Sequence, residues 1–430
     1  MRLYLRLLRD NPEYTKLWLA QVISLTGDWF NTIVLIGLVT QFSNGSATAI
    51  SLFLAARVLP PMVFGPMAGV LLDRFNRKHI LMWSNFLRAM IVPLYLFAQG
   101  PETLWIIYVV VIIQFTLSTV FEPGQGAILP ALVEPKYLIE GNTLFSVTWS
   151  VMLALGAILG GVFAFVFGAQ AALIMDAATF AIGGLLVWWI DYDPARGRKI
   201  AKELNVEPMN PEEEDTSFIE GLRFVRKTPQ MAAALFVKFG QSFGNVDTLL
   251  SVFATQIFVW GDSGELSQAV LWSALGFGAL IGPMVTNVVN DGSVTRMRRL
   301  IIFGFVLMAV CWIPMGFATG LFLIALSIFM RAMGGSINWT YSNIIIQKSA
   351  PDAKLGRMFS IDTVGYYFAT LVTTLAVGFL IDYVGVDRIN WVIWGSMVVS
   401  LIPLSIWAWV VPTLERIEDE TETAVMATGD

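Results

Sequence analysis

Apolar runs long enough to cross a bilayer recur from one end of this chain to the other, which makes lipid its solvent. Broken at charged or Gly/Pro-rich stretches, they give twelve predicted spans. These fall at roughly 17–41, 48–72, 79–99, 103–128, 140–168, 170–190, 230–259, 267–290, 299–319, 321–347, 357–382 and 389–411. Charged residues make up only 14% of the sequence, against about a quarter in a soluble domain. The single cysteine, Cys311, excludes a disulfide framework or a cysteine-rich metal site. The single histidine, His79, excludes a His-rich metal site and the usual catalytic triad. No phosphate-binding G-x-x-x-x-G-K-[ST] loop occurs, so nucleotide hydrolysis through such a loop is not expected. The loops are also too short to hold the output domain of a sensor.

Lys and Arg set the expected orientation. With the N-terminus inside, 22 of the 27 basic residues fall in cytoplasmic segments, four lie within spans, and Arg388 alone is external. That asymmetry predicts a multi-pass protein of the cell (inner or plasma) membrane with both termini cytoplasmic. The N-terminal stretch MRLYLRLLRDNPEYTKLW has no short apolar core followed by a cleavage site, and reads as a retained cytoplasmic helix. The expected organisation is a six-helix bundle over 1–190, a cytoplasmic linker over 191–229, a second six-helix bundle over 230–411 and an acidic tail over 412–430. The linker carries the acidic run Glu212–Asp215 and then an amphipathic helix in SFIEGLRFVRKTP. The tail lacks an apolar face and is expected to be disordered.

The two halves echo each other. Gly65-Pro66-Met67 recurs as Gly282-Pro283-Met284, Gly27-Asp28 as Gly244-Asn245, and Asp73 as Asn290, all at an offset of 217. One constant offset predicts two six-helix pseudo-repeats in an all-α membrane protein, a plan typical of transporters with a midplane substrate site.

From Gly69 the chain reads GVLLDRFNRKHI, between spans 2 and 3. Gly69, Leu71, Asp73, Arg74, Arg77 and Lys78 match a loop signature, so the chain resembles the major facilitator superfamily. Gly69 is expected to let two helices approach closely. Asp73 is expected to face a helix N-terminus. Asn76, where a glycine is usual, is a residue that tolerates a left-handed turn. FEPGQGAILPALVEPKYLIEGNTLFS (Phe121–Ser146), LTGDWFN, GSATAISL, IMDAATFAI and EGLRFVRKTP are similar to the macrolide, multidrug and siderophore efflux branch. The resemblance implies a twelve-span fold with drug:proton antiport as the activity. GAILGG (156–161) and GALIGP (278–283) read as helix-packing faces.

Ionisable groups inside spans mark candidate sites. Asp28 lies about 16 Å from the inner end of span 1; Arg57 lies about 14 Å from the outer end of span 2 and Arg88 about 14 Å into span 3. Asp28–Arg57 and Asp28–Arg88 are therefore alternative ion pairs. Gln21, Ser24, Asp28 and Asn31 share one helix face, as the wall of a water-filled cavity would. Asn245 and Asp247 are further cavity candidates. Glu122 is either an inner-gate ion pair or a proton site, and Arg331 is a coupling candidate. Asp176, Lys238 and Asp362 are weaker ones. Trp149, Phe145, Trp272, Trp339 and Tyr366 fit helix packing better than a pocket.

The expected function is secondary active export of small amphipathic compounds by alternating access. An ion gradient, proton or other, would supply the energy, with no bound cofactor or metal and no enzymatic activity. The alternative on the same fold is a lysophospholipid or lipid flippase, suggested by the Pro123–Leu129 pattern. Expected partners are the small substrate and membrane lipid, with no nucleic acid, for a monomer.

Overall fold

The computed structural model describes residues 2–193 and 218–428. Among the described residues there are helices and no strands. In chain order they are α1 (Arg2–Asp10), α2 (Pro12–Phe42), α3 (Ala47–Arg74), α4 (Arg77–Ile91), α5 (Leu104–Ser118), α6 (Phe121–Leu132) and α7 (Leu138–Trp188). After the linker come α8 (Phe218–Lys227), α9 (Pro229–Gln241), α10 (Asp247–Val252), α11 (Glu265–Asn287), α12 (Val294–Val310), α13 (Trp312–Gly316), α14 (Leu321–Ser349), α15 (Asp352–Val384) and α16 (Ile389–Thr428). They form two compact units. The first takes the chain as far as Glu214 and then Asp247–Gly276; the second takes Asp215–Val246 and the chain from Phe277 onward.

Ten helices among the described residues are long and apolar enough to cross a membrane. The two further expected spans are accounted for by breaks. α7 is interrupted at Gly168 (φ 82, ψ 167), a conformation that favours glycine, and its two arms match the predicted spans 140–168 and 170–190. The seventh expected span is broken into α9, α10 and a π turn over Phe253–Ile257. Large apolar side chains lie exposed along the helices, among them Met90, Phe167, Phe322 and Trp391, as lipid-facing surfaces require.

In the first unit, α2 starts with Pro12 in its first turn and α3 with Ser46, whose hydroxyl accepts the Ala49 amide (3.1 Å). α2 and α7 share the most extensive helix contact. Side chains as small as glycine permit it: a Cβ on Gly160 would stand 2.7 Å from the Trp29 carbonyl oxygen, so GAILGG is a packing face. Leu7, Tyr14, Leu17, Leu81, Phe121, Leu129 and Val187 form a buried core, and the Tyr14 hydroxyl donates to the Gly141 carbonyl (2.9 Å).

In the second unit, Met231, Val237, Ile301, Phe305, Ile337, Tyr341, Met358 and Trp407 form the core. The GALIGP face packs its glycines on the α14 backbone at Phe329 and Met333. Cys311 is fully buried, its thiol directed at the Met308 carbonyl (3.1 Å). The expected amphipathic helix is α8, with Gly221 against Ile361; the acidic run Glu212–Asp215 lies outside the described residues. The chain after Pro412 departs from expectation, because α16 continues through it to Thr428. Glutamate, alanine and methionine there are good helix formers, and the acidic composition does not oppose a helix.

The loop motif differs from expectation in two ways. Gly69 has nothing within 4 Å of where its Cβ would stand, so it makes no close helix contact here. Asn76 is extended (φ −65, ψ 114) and caps α4 by accepting the His79 amide (3.3 Å), so no left-handed turn is involved. Arg77 donates to the carbonyls of Ala127 (2.6 Å) and Leu72 (3.4 Å), tying α4 to α6 and to the end of α3. Arg74 is exposed and Lys78 half-buried, and the Asp73 side chain lies outside the described residues. The second unit's copy of this loop is capped in the same manner, with the Ser293 hydroxyl accepting the Arg296 amide (3.1 Å).

Candidate functional site

The polar stripe of α2 divides by function. Gln21, Ser24 and Asn31 are buried and bonded across helices, whereas Asp28 is half-buried. Gln21 donates to the Phe145 carbonyl on α7 (3.4 Å), and the Ser24 hydroxyl to Asn85 Oδ1 on α4 (3.3 Å). Asn31 Nδ2 donates to Asp176 Oδ2 on α7 (2.7 Å) and to Gln114 Oε1 on α5 (3.1 Å). Gln114 Nε2 in turn donates to Asp28 Oδ1 (3.4 Å), and the Tyr95 hydroxyl donates to Gln114 Oε1 (2.8 Å). Two carboxylates, Asp28 and Asp176, are thus joined through two amides.

Asp176 is completely buried, and its Oδ1 has no hydrogen-bond partner among the described residues. That oxygen lies against Gly27: a Cβ on Gly27 would be 2.6 Å from it and would also collide with the Thr179 hydroxyl. The glycine before Asp28 therefore makes room for the second carboxylate.

Neither Arg57 nor Arg88 forms an ion pair with Asp28 within 4.0 Å among the described residues. The two expected pairs are replaced by other contacts. Arg88 is buried, donates to the Ser84 carbonyl (3.2 Å) and Asn85 Oδ1 (2.8 Å), and sits over the rings of Phe180 (4.3 Å) and Phe121 (5.2 Å). Arg57 is half-buried, over Phe115 (4.8 Å) and Phe53 (5.9 Å), and its guanidinium makes no hydrogen bond to the described residues. Aromatic faces stabilise a desolvated cation without neutralising it. Span depth shows that these groups share a level; it does not show that each takes its contacts from rings and amides instead of from the other.

The other candidates lie elsewhere. Arg331, buried on α14, donates to the carbonyls of Gln241 and Gly244 at the break after α9, where helical carbonyls lack their usual partners. Asn245 is buried and donates to Thr374 (3.1 Å), and Asp247 opens α10. Glu122 is exposed near the start of α6 and has no ion-pair partner among the described residues. Lys238 and Asp362 form a buried ion pair, with Lys238 also donating to Asn343 (2.6 Å) and lying 4.1 Å from the Trp339 ring centre. Trp272 is buried against Trp29 (ring centres 5.6 Å apart) and Phe145 against Tyr14 (5.2 Å), as packing predicts; Trp149 and Trp339 are exposed.

Asp176, Gln114, Tyr95 and Asn85 hold the site together, although the sequence ranks Asp176 low and does not single out the other three. A signal exists for Gln114: it is a lone amide in an otherwise apolar run, VVVIIQF.

The family model of the Major Facilitator Superfamily matches residues 17–296 and 273–425. The chain belongs to this superfamily. Its relatives in the superfamily include the candidate bacilysin exporter BacE of Bacillus subtilis, 24% identical over 356 residues that cover 82% of this chain and 84% of BacE. Macrolide efflux protein A of Streptococcus pyogenes is 28% identical over 157 residues, 34% of this chain and 38% of that protein. The fold is similar to the crystal structure of the nucleoside transporter NupG, with a TM-score of 0.71 at 11% identity over 92% of this chain and 98% of NupG. This major facilitator protein is a multi-pass membrane transporter with exporter and efflux proteins among its relatives, and not an enzyme.

Proposed function

We propose that this transporter exports small amphipathic compounds in exchange for protons, with Asp28 as the coupling group. The observation that carries the proposal is the state of Asp28: half-buried at mid-span, bonded once to an amide at 3.4 Å, and free of any ion pair among the described residues. A carboxylate so placed can alternate between proton and substrate without first breaking a structural contact, and ionisable groups at this depth are costly enough to be retained for function. The exporter and efflux names of two relatives support the direction of transport. In this reading the protein acts as a monomer in the cell membrane with both termini cytoplasmic, and the proton gradient is its energy source.

The test uses purified protein in proteoliposomes, with labelled erythromycin and ethidium as probes. An imposed pH gradient should drive probe flux in the parent and not in Asp28→Asn. Equal flux in both would remove Asp28 from the mechanism. Translocation of a labelled lysophospholipid, indifferent to the gradient, would favour the flippase instead.

A further inference from the structure

Two helices of the second unit meet closely at one level and leave a cleft at another. A Cβ added to Gly240 on α9 would lie 2.8 Å from the Pro403 Cβ on α16, so the glycine lets the helices touch there. Toward the start of α9 a cavity of about 300 Å³ lies between them, lined by Pro229, Ala232 and Phe236 on α9 and by Trp407, Val410 and Leu414 on α16. Alanine at 232 and 233 leaves this space unfilled. In its wall the Trp407 indole donates to the Arg298 carbonyl (3.1 Å) and the Thr413 hydroxyl to the Trp409 carbonyl (3.4 Å). Neither group is left to hold a polar ligand. Ile406 and Trp409, which also line the cavity, are exposed and lie in the candidate span Val386–Arg416, so the cleft belongs to the lipid-facing surface.

Basic residues stand at one end of it. Arg226 and Lys227 end α8, just before Pro229, and Arg416 follows Leu414 by two residues and closes the span. Trp409, Thr413 and Arg416 are spaced i, i+4 and i+7, so the arginine continues one wall of the cleft. All three cations are exposed, and none forms an ion pair among the described residues. The acids nearest in sequence are engaged or distant: Glu415 pairs with Arg299 (3.3 Å), and Glu220 lies about 9 Å back along α8 from Arg226. Glu418 falls beyond the end of the span.

We infer that the cleft is a binding site for an anionic phospholipid, with one acyl chain between α9 and α16 and the headgroup phosphate facing Arg226, Lys227 and Arg416. From Ile406 to Leu414 the cleft runs about 12 Å along α16, a length of wall that an extended hydrocarbon chain can cover. An apolar wall without free donors takes hydrocarbon and offers nothing to a polar solute. Uncompensated cations at a membrane surface each favour a headgroup of net negative charge, whereas a zwitterionic headgroup brings its own cation against them.

Neither the exported compound nor the coupling ion enters the test. Full-length protein in detergent is titrated with palmitoyl-oleoyl phosphatidylglycerol, the matching phosphatidylcholine and dihexanoyl phosphatidylglycerol, and bound lipid is counted by native mass spectrometry. The long-chain phosphatidylglycerol should bind about tenfold or more tighter than either of the others. Arg226→Gln, Lys227→Gln and Arg416→Gln should each weaken it about fivefold and leave phosphatidylcholine unchanged. These variants alter exposed side chains only, so they read binding without disturbing the core. Ala232→Phe, which fills the cleft, should weaken both long-chain lipids alike, and Arg9→Gln on α1 should change nothing. Equal binding of the two long-chain lipids by the parent, selectivity that survives all three glutamines together, or parental binding by Ala232→Phe would overturn the inference. Dihexanoyl phosphatidylglycerol binding as tightly as its long-chain counterpart would overturn it too, as the site would then hold a headgroup alone. A dimer in lipid-free detergent that Ala232→Phe dissociates would assign the cleft to a second copy of the chain instead.

Discussion

The two units carry charge inside the membrane in opposite ways. Positions 217 residues apart in the sequence make the contrast direct: Gln21 corresponds to Lys238, Asp28 to Asn245, and Gln114 to Arg331. In the second unit the charges are spent on structure. Lys238 contacts Asp362, and Arg331 binds the carbonyls of a broken helix. In the first unit Asp28 accepts from Gln114 and Arg57 lies over the rings of Phe53 and Phe115, and no ion pair joins the two among the described residues. A buried charge with its partner in place serves the fold, whereas one kept without a partner is retained at a cost to stability. The duplicated architecture thus gives one half a buried ion pair and the other, among the described residues, in-span charges joined by none.

The widest separation should come from Asp28→Asn. It should abolish gradient-driven flux while leaving the melting temperature in detergent equal to or above that of the parent, since it removes an unpaired charge. A marked fall in melting temperature would make Asp28 a structural residue and erase the contrast. Lys238→Met should act the other way, destabilising by about 3–5 kcal/mol because Asp362 is left buried and unpaired. The double variant Lys238→Met/Asp362→Leu should recover most of that loss in the same denaturation assay. If the single variant melts like the parent, the second unit's pair is not structural.

A smaller effect is expected from Gly27→Ala. Its added methyl meets Asp176 and Thr179, so a loss of about 1–3 kcal/mol should appear on unfolding. Reduced flux alongside that loss would tie Asp176 to the site, and unchanged stability would show that α2 and α7 can separate to admit a methyl. Least affected should be the loop caps, where Asn76→Ala and Ser293→Ala should each cost about 1 kcal/mol. Their equality checks that the units share loop construction and differ in their interiors.

Much of the helical plan could be read from residues alone. The boundary between spans 5 and 6 fell at Gly168, where α7 is interrupted. The depth of Asp28, Arg57 and Arg88 was legible because rise per residue is constant. Their pairing was not, because depth carries no information about which side chains stand between two helices. Phe115 and Phe180 read as ordinary lipid-type residues until each is found under a guanidinium. The same limit hid the partners of Asn31, a cavity-wall candidate by sequence, whose two N–H donors reach α5 and α7 at once. Arg331 read as a coupling candidate because the break after α9, which supplies its carbonyl partners, left no strong mark in KFGQSFGNVD.

The enclosed thiol of Cys311 has a practical consequence for all these measurements. With its only sulfhydryl sealed beside Met308, the native protein is expected to resist maleimide reagents without any cysteine being engineered out. A reporter cysteine placed at exposed Glu102 or Asp291 would then be the sole reactive handle. An impermeant label applied to intact cells would reveal which of those two positions faces the medium.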